Sequence, residues 1–126
     1  MEKLKIGGIY TRQIKTLEDG TYDLEELEAM LPGMDDRCVG NVKMVATENS
    51  HNWCGGRIVP LEFFTKLGKL LRERNVKLHV DGSRVITVAV ASKIDVKTWV
   101  KDCDSINFCF SKVNYKLANL VMVTCF

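Results

Sequence analysis

Two residues in this chain have types and positions suited to chemistry. Asp81 closes the short apolar run Val76 to Val80, and Lys112 follows the run Ile106 to Phe110. Each run has the length and composition of a buried parallel strand. In a three-layer α/β fold, residues at the carboxyl ends of neighbouring strands converge on one crevice. An acid and an amine meeting there match what pyridoxal phosphate requires. A lysine amine forms an imine with the cofactor aldehyde, and an aspartate keeps the pyridine nitrogen protonated so that the ring draws electrons. The competing reading is structural, because an aspartate after a strand commonly caps the next helix and a lysine there is commonly solvated.

The elements that must position this pair are marked by turn and cap signals. Ile9 to Thr16 reads as extended, and Asp19-Gly20 as a turn. Thr21 or Asp23 can cap a helix through Met30, with Glu25 and Glu26 near the positive end of its dipole and Pro32-Gly33 as its stop. Val42 to Thr47 is β-branched and predicts a strand, followed by a loop from Glu48 to Val59 with two adjacent glycines. Pro60 opens a helix at its first position, and Leu61, Phe64, Leu67 and Leu71 recur at helical spacing. The next strand is Val76 to Val80. Ser83 to Ala91 and Asp95 to Asp102 predict helices, although β-branched residues crowd the first of them. Ile106 to Phe110 and Leu120 to Val123 predict two more strands. Strands alternating with helices imply right-handed parallel crossovers, so the expected fold class is α/β: a partial three-layer sheet of mostly parallel strands with flanking helices.

The chain has 126 residues, of which 46% are apolar, enough for one domain spanning 1–126 that buries about two-thirds of its unfolded surface. Its net charge is +2, with basic and acidic residues interleaved, which argues against a nucleic-acid or membrane partner. The densest basic stretch, Lys66 to Lys77, reads as the solvated face of an amphipathic helix. No apolar run approaches the ~20 residues that span a bilayer. The start, Met1 to Ile6, has no signal-peptide core, so a cytoplasmic location is expected. Five cysteines, at positions 38, 54, 103, 109 and 125, include no Cys-x-x-Cys pair, and only two histidines are present, so no metal site is expected. Cys109 reads as a small buried hydrophobe, and all five thiols as reduced.

The letters around Asp81 add a more specific signal. His79-Val80-Asp81-Gly82-Ser83-Arg84 resembles the strand-turn motif His-x-Asp-Gly-Ala-Arg of the L-threonine aldolases, a branch of the fold-type I pyridoxal phosphate enzymes. Glu48-Asn49-Ser50-His51-Asn52 is similar to that family's Glu-Asn-Thr-His-Asn. Cys54-Gly55-Gly56 and Val59-Pro60-Leu61 resemble its Gly-Gly and Leu-Pro-Leu. Asp104-Ser105-Ile106 and Phe110-Ser111-Lys112 resemble the Asp-Ser-Val and Leu-Ser-Lys that carry the family's cofactor lysine, and Asp23 to Met30 resembles its Asp-Leu-Glu-Glu-Leu helix.

By this resemblance the chain is the central part of a large domain, and its site residues are Lys112 for covalent attachment of pyridoxal phosphate, Asp81 for the ring nitrogen and Arg84 for the phenolic oxygen or the substrate carboxylate. His51 would orient the substrate or take a proton, though a histidine in such a loop is equally often a structural hydrogen-bonder. His79, inside a strand, reads as a satisfied sheet residue. Ser83 stands where the family usually has alanine. The implied reaction cleaves a β-hydroxy-α-amino acid such as threonine to glycine and an aldehyde, with an amino acid as the small-molecule partner and a homo-oligomer as the assembly.

Two departures temper that expectation. The family has a glycine-rich stretch after its lysine, whereas Val113 to Asn119 contains no glycine, and the positive φ angles open to glycine are costly for other residues. The family's chains are also longer, with a Gly-Thr turn for the cofactor phosphate and a ring-stacking histidine in front, and a carboxylate-binding arginine behind. A further family histidine falls near Cys38, in a segment without histidine. The resemblance therefore implies weak cofactor binding and slow or no turnover by these residues alone. The alternative is an inert truncated paralogue that at most associates with a full-length aldolase. A nucleotide-binding module is disfavoured, because no Gly-x-Gly-x-x-Gly or phosphate loop occurs.

Overall fold

The structure is a computed structural model that describes residues 8–31 and 42–109, and the backbone of 121–125. The expectations for Pro32-Gly33, Cys38, Phe110, Ser111, Lys112, Val113 to Asn119 and Leu120 lie outside the described residues.

The largest source of cohesion is α2 (Leu61–Glu73), reached after α1 (Leu24–Met30) and β1 (Met44–Glu48). Phe63, Phe64, Leu67 and Leu71 form its buried stripe, with Leu61 at the margin. Each such side chain contributes about 1.5–3 kcal/mol on burial. Pro60 stands at the cap position rather than the first helical position, where its fixed φ still sets the entry angle. The opposite face carries exposed Lys66 and Lys69, as expected of an amphipathic helix. Asp23 caps α1 by accepting from the Glu25 amide at 2.8 Å. An edge-to-face aromatic ladder of Tyr22, Phe63, Phe64 and Trp99, with centroids 4.9, 6.1 and 6.2 Å apart, ties the segment before α1 through α2 to α4.

The chain then alternates between sheet and helix: β2 (Lys77–Gly82), α3 (Val85–Ser92), α4 (Val96–Val100), β3 (Ser105–Cys109) and β4 (Val121–Cys125). The sheet has the order β1-β2-β3-β4, with β1, β2 and β3 parallel and β4 antiparallel to β3. The fold is thus a partial α/β sheet of mostly parallel strands with flanking helices. Only the direction of β4 departs from an all-parallel reading.

Register sorts the two faces of the sheet. Leu78, Val80 and Ile106 are buried and share the apolar core with α2 and α3. Side chains alternate along a strand, so Lys77, His79 and Asp81 point to the other face. Glu48 pairs with Asp81, and Asp81 with Asn107, so these three polar residues lie in one row across β1, β2 and β3.

Strand β2 runs further than its apolar letters predict. It continues through Asp81 and Gly82 because both neighbours keep pairing with it, and the Asn49 amide still donates to the Asp81 carbonyl at 3.1 Å. Gly82 is required by close approach. A Cβ there would stand 2.5 Å from Ile106 Cδ1 and 2.7 Å from the Asn107 carbonyl oxygen. At the other end of the strand, Asp104 accepts from the Leu78 amide at 2.9 Å and from Lys77 Nζ at 2.8 Å, which fixes where β3 begins. Cys109 is half-buried rather than buried. Among the described residues, no helix is long and apolar enough to cross a membrane.

Leu67→Ala should lower unfolding free energy by about 2–5 kcal/mol, and Gly82→Ala by about 1–3 kcal/mol, in urea titrations. A Gly82→Ala variant as stable as the parent would mean that β2 and β3 are not as closely packed as described.

Candidate functional site

Asp81 reaches the polar face as the penultimate residue of β2, and its carboxylate is held by neighbouring groups of the chain. Oδ1 accepts from the Ser83 hydroxyl at 2.6 Å, from the Ser83 amide at 3.0 Å and from Asn107 Nδ2 at 3.1 Å. The first two bonds close a local turn. Asp81 therefore does not cap α3: the cap position belongs to Arg84, which makes no side-chain capping bond. Asn107 is oriented by its own neighbour. The Gly82 amide can only donate, and it donates to Asn107 Oδ1 at 3.2 Å, which turns the Asn107 NH2 group toward Asp81.

Burial pushes the Asp81 carboxyl upward. The bonds from Ser83 and Asn107, together with the nearby His79, outweigh it and leave the group below its ordinary value of 3.8. Asp81 is thus an anion at neutral pH. Oδ2 accepts no hydrogen bond from a described residue, so the carboxylate keeps one oxygen for another donor.

A cleft of about 550 Å³ opens over this face, at the carboxyl ends of β1 and β2. Its walls include Asp81, Glu48, His51 and His79, closed on one side by the strap from Arg12 to Thr16. His79 is held by a 2.8 Å bond between Nδ1 and Ser105 Oγ. His51 sits in the loop after β1, pinned by its amide donating to the Arg57 carbonyl at 2.9 Å. Its Nδ1 lies 3.4 Å from Glu48 Oε1 without forming a hydrogen bond, and that oxygen accepts instead from the Asn52 amide at 2.8 Å. Two buried polar atoms in the cleft wall, His51 Nδ1 and Tyr22 Oη, make no well-formed hydrogen bond with a described residue, the Tyr22 hydroxyl having only the Thr47 side chain near it. Such atoms are rare in folded proteins and are commonly satisfied by a ligand or water.

Gly20 lets the strap approach His51. At φ +86°, it brings its backbone so near that a Cβ would stand 2.9 Å from His51 Cβ. The structure thus brings Asp81 and His51 to one cleft. Arg84 is not among the lining residues: it is half-buried at the start of α3, beyond the turn that follows Asp81, and makes no ion pair with a described residue. Lys112 lies outside the described residues, so its distance to Asp81 is not part of this geometry. Sequence reasoning missed Asn107, Tyr22 and Arg12. A polar residue inside the apolar run Ile106 to Phe110 was the available signal for the first. No cluster of metal-ligating side chains occurs among the described residues.

The lowered carboxyls set a pH dependence. A group depressed in the folded state stabilises it fully above its unfolded value, and that contribution is lost as pH falls through the folded value. For Asp81, and for Asp104, held down by its bonds to Lys77 and the Leu78 amide, the loss falls below the ordinary 3.8. The urea midpoint should therefore stay level from neutral pH to about pH 5 and fall below about pH 4. Asp81→Asn should flatten part of that acid limb. An acid limb identical in parent and variant would contradict the hydrogen-bonded carboxylate.

Comparison with known proteins agrees with the sequence motifs. The Beta-eliminating lyase family model matches residues 2–116. The chain is 36% identical over 108 residues to a probable low-specificity L-threonine aldolase 2 of Arabidopsis thaliana, covering 85% of this chain and 30% of the relative. It is 35% identical to low-specificity L-threonine aldolase 1 of the same plant, with the same coverage, and 36% identical over 107 residues to the low specificity L-threonine aldolase of Escherichia coli K12, covering 85% of this chain and 31% of that relative. The chain thus spans about 30% of the length of the curated relatives it matches. The likeness to L-threonine aldolases read from the motifs holds over most of the chain, and with a family match reaching from residue 2 to residue 116 this protein belongs to the beta-eliminating lyase family.

Proposed function

We propose that this chain contributes the pyridine-facing half of a pyridoxal phosphate site in a carbon–carbon lyase that splits threonine-type β-hydroxy-α-amino acids into glycine and an aldehyde. The observation that carries the reading is an ionised aspartate at the carboxyl end of a parallel strand, with one oxygen that accepts no hydrogen bond from a described residue and a cleft above it. The residues present fit the group. Asp81 Oδ2 suits a protonated ring nitrogen, and the orphaned His51 Nδ1 and Tyr22 Oη suit polar substituents of a ligand in the same cleft.

When bound, pyridoxal phosphate supplies an electron sink that lowers the barrier to breaking the bond between Cα and Cβ. The chain's own residues would then divide the work. Asp81 holds the proton at the ring nitrogen by staying anionic. Lys112, by resemblance, anchors the cofactor through its amine, which must be neutral to react. His51 orients the substrate or accepts a proton at Nδ1. Arg84, two residues past the strand, is the residue the resemblance assigns to a carboxylate, while Arg12 is a cation in the cleft wall itself. The substrate is a small amino acid, and the working assembly is a homo-oligomer located in the cytoplasm.

A second reading is supported by Val113 to Asn119, where the absence of glycine alters the stretch after Lys112. On that reading the chain is catalytically inert and at most associates with a full-length aldolase.

Borohydride reduction of the purified chain with pyridoxal phosphate, followed by peptide mapping, separates the two. The proposal predicts a visible absorption band and a label on Lys112 that Lys112→Ala abolishes. It also predicts that Asp81→Asn weakens cofactor binding by roughly 10-fold or more, the scale of a lost charge-assisted bond. Absence of label, with aldehyde release from threonine equal to blank, would establish the inert reading.

A further inference from the structure

Among the described residues, the three donors that reach the Asp81 carboxylate converge on one of its two oxygens. Ser83 supplies two of them across a tight turn, and Asn107 supplies the third from the neighbouring strand. Asn107 Nδ2 also lies 3.4 Å from Ser83 Oγ, so the two residues brace each other as well as the carboxylate. A carboxylate bonded on one oxygen from two directions cannot swing about its Cα–Cβ and Cβ–Cγ bonds without breaking several hydrogen bonds at once.

We propose that Ser83 and Asn107 are positioning residues that lock Asp81 by Oδ1, leaving Oδ2 as the single oxygen offered to a protonated ring nitrogen in the cleft. The inference rests on the cofactor reading above for the identity of that nitrogen. The lock itself is made by the chain's own groups. Ser83 is the position at which this chain departs from the alanine usual in the motif it resembles. The departure places a hydroxyl against Asp81, where alanine has none. Asn107 is fixed in turn by the Gly82 amide, so its own orientation does not depend on a ligand.

Among the described residues, the charged and titratable groups around Asp81 are His79, two residues earlier on β2, Glu48, its partner on β1, Arg84 across the turn, and Arg12, His51 and Tyr22 in the lining of the same cleft. On β3 the paired residue, Asn107, is uncharged, and Asp104 precedes that strand at its far end. Glu48 is turned toward the Asn52 amide and His51. Removing a donor from Oδ1 should therefore register directly on the carboxyl.

The test is a side-chain carboxyl titration by carbon NMR on the ligand-free chain with labelled aspartate, the Asp81 signal being assigned with Asp81→Asn. Ser83→Ala and Asn107→Leu should each raise the Asp81 midpoint, and the double variant should raise it further, while the signals of Asp95 and Asp102 stay put. Ser83→Ala removes only a hydroxyl from a turn, so it provides the answer if Asn107→Leu fails to fold. As a second measurement, each single variant should bind pyridoxal phosphate roughly 3- to 10-fold more weakly than the parent, as expected for one hydrogen bond. An Asp81 midpoint unchanged in a folded Ser83→Ala variant would overturn the lock. If the parent chain binds no pyridoxal phosphate, the cofactor reading fails, and the titration alone decides whether Oδ1 is locked.

Discussion

The in-register pairing of β2 with β1 on one side and β3 on the other is the constraint on which the rest depends. It places Glu48, Asp81 and Asn107 in a single row on the polar face while Leu78, Val80 and Ile106 go to the core. Because side chains alternate strictly along a strand, a slip of β2 by one residue would turn Asp81 into the core and Leu78 and Val80 out of it. The hydrophobic core and the candidate site are therefore specified by the same register. Neither can shift without the other, and close packing at Gly82 leaves little room for β2 and β3 to separate.

That arrangement puts an anion in a half-buried place, which is costly unless donors compensate for lost water. Ser83 and Asn107 provide the compensation through one oxygen, and the proximity of His79 adds to it. Glu48, the like charge in the same row, is drawn aside toward the loop that carries His51. The outcome is a carboxylate with fixed orientation, at the end of the sheet where parallel α/β folds bind ligands. The strap before α1 lines the cleft, and Gly20, in the turn that follows it, lies against His51 where a side chain would not fit.

The strands were legible because Val42 to Thr47, Val76 to Val80 and Ile106 to Phe110 are short apolar runs bounded by turn residues, and α2 because its apolar residues recur at helical spacing. The true end of β2 was not legible, since Asp81-Gly82 carries the letters of a turn while its backbone is held in the sheet by neighbours distant in sequence. The direction of β4 was likewise hidden, because an apolar run does not encode which way it pairs. Asp81 and His51 could be singled out from local motifs. Asn107 stood out only as a polar letter in an apolar run, and its role was hidden because it comes from a partner 26 residues away across the sheet. The motif places Arg84 beside Asp81 in sequence, but the turn at Ser83 carries it away from the cleft wall.

The central claim is that Asp81 offers a free carboxylate oxygen to a protonated ring nitrogen. The most direct measurement is the nitrogen NMR shift of ring-labelled pyridoxal phosphate in the presence of the parent chain and of Asp81→Asn. The account predicts a protonated ring nitrogen with the parent at neutral pH and an unprotonated one with the variant. A ring that is unprotonated with both, or that remains protonated without the carboxylate, would contradict it.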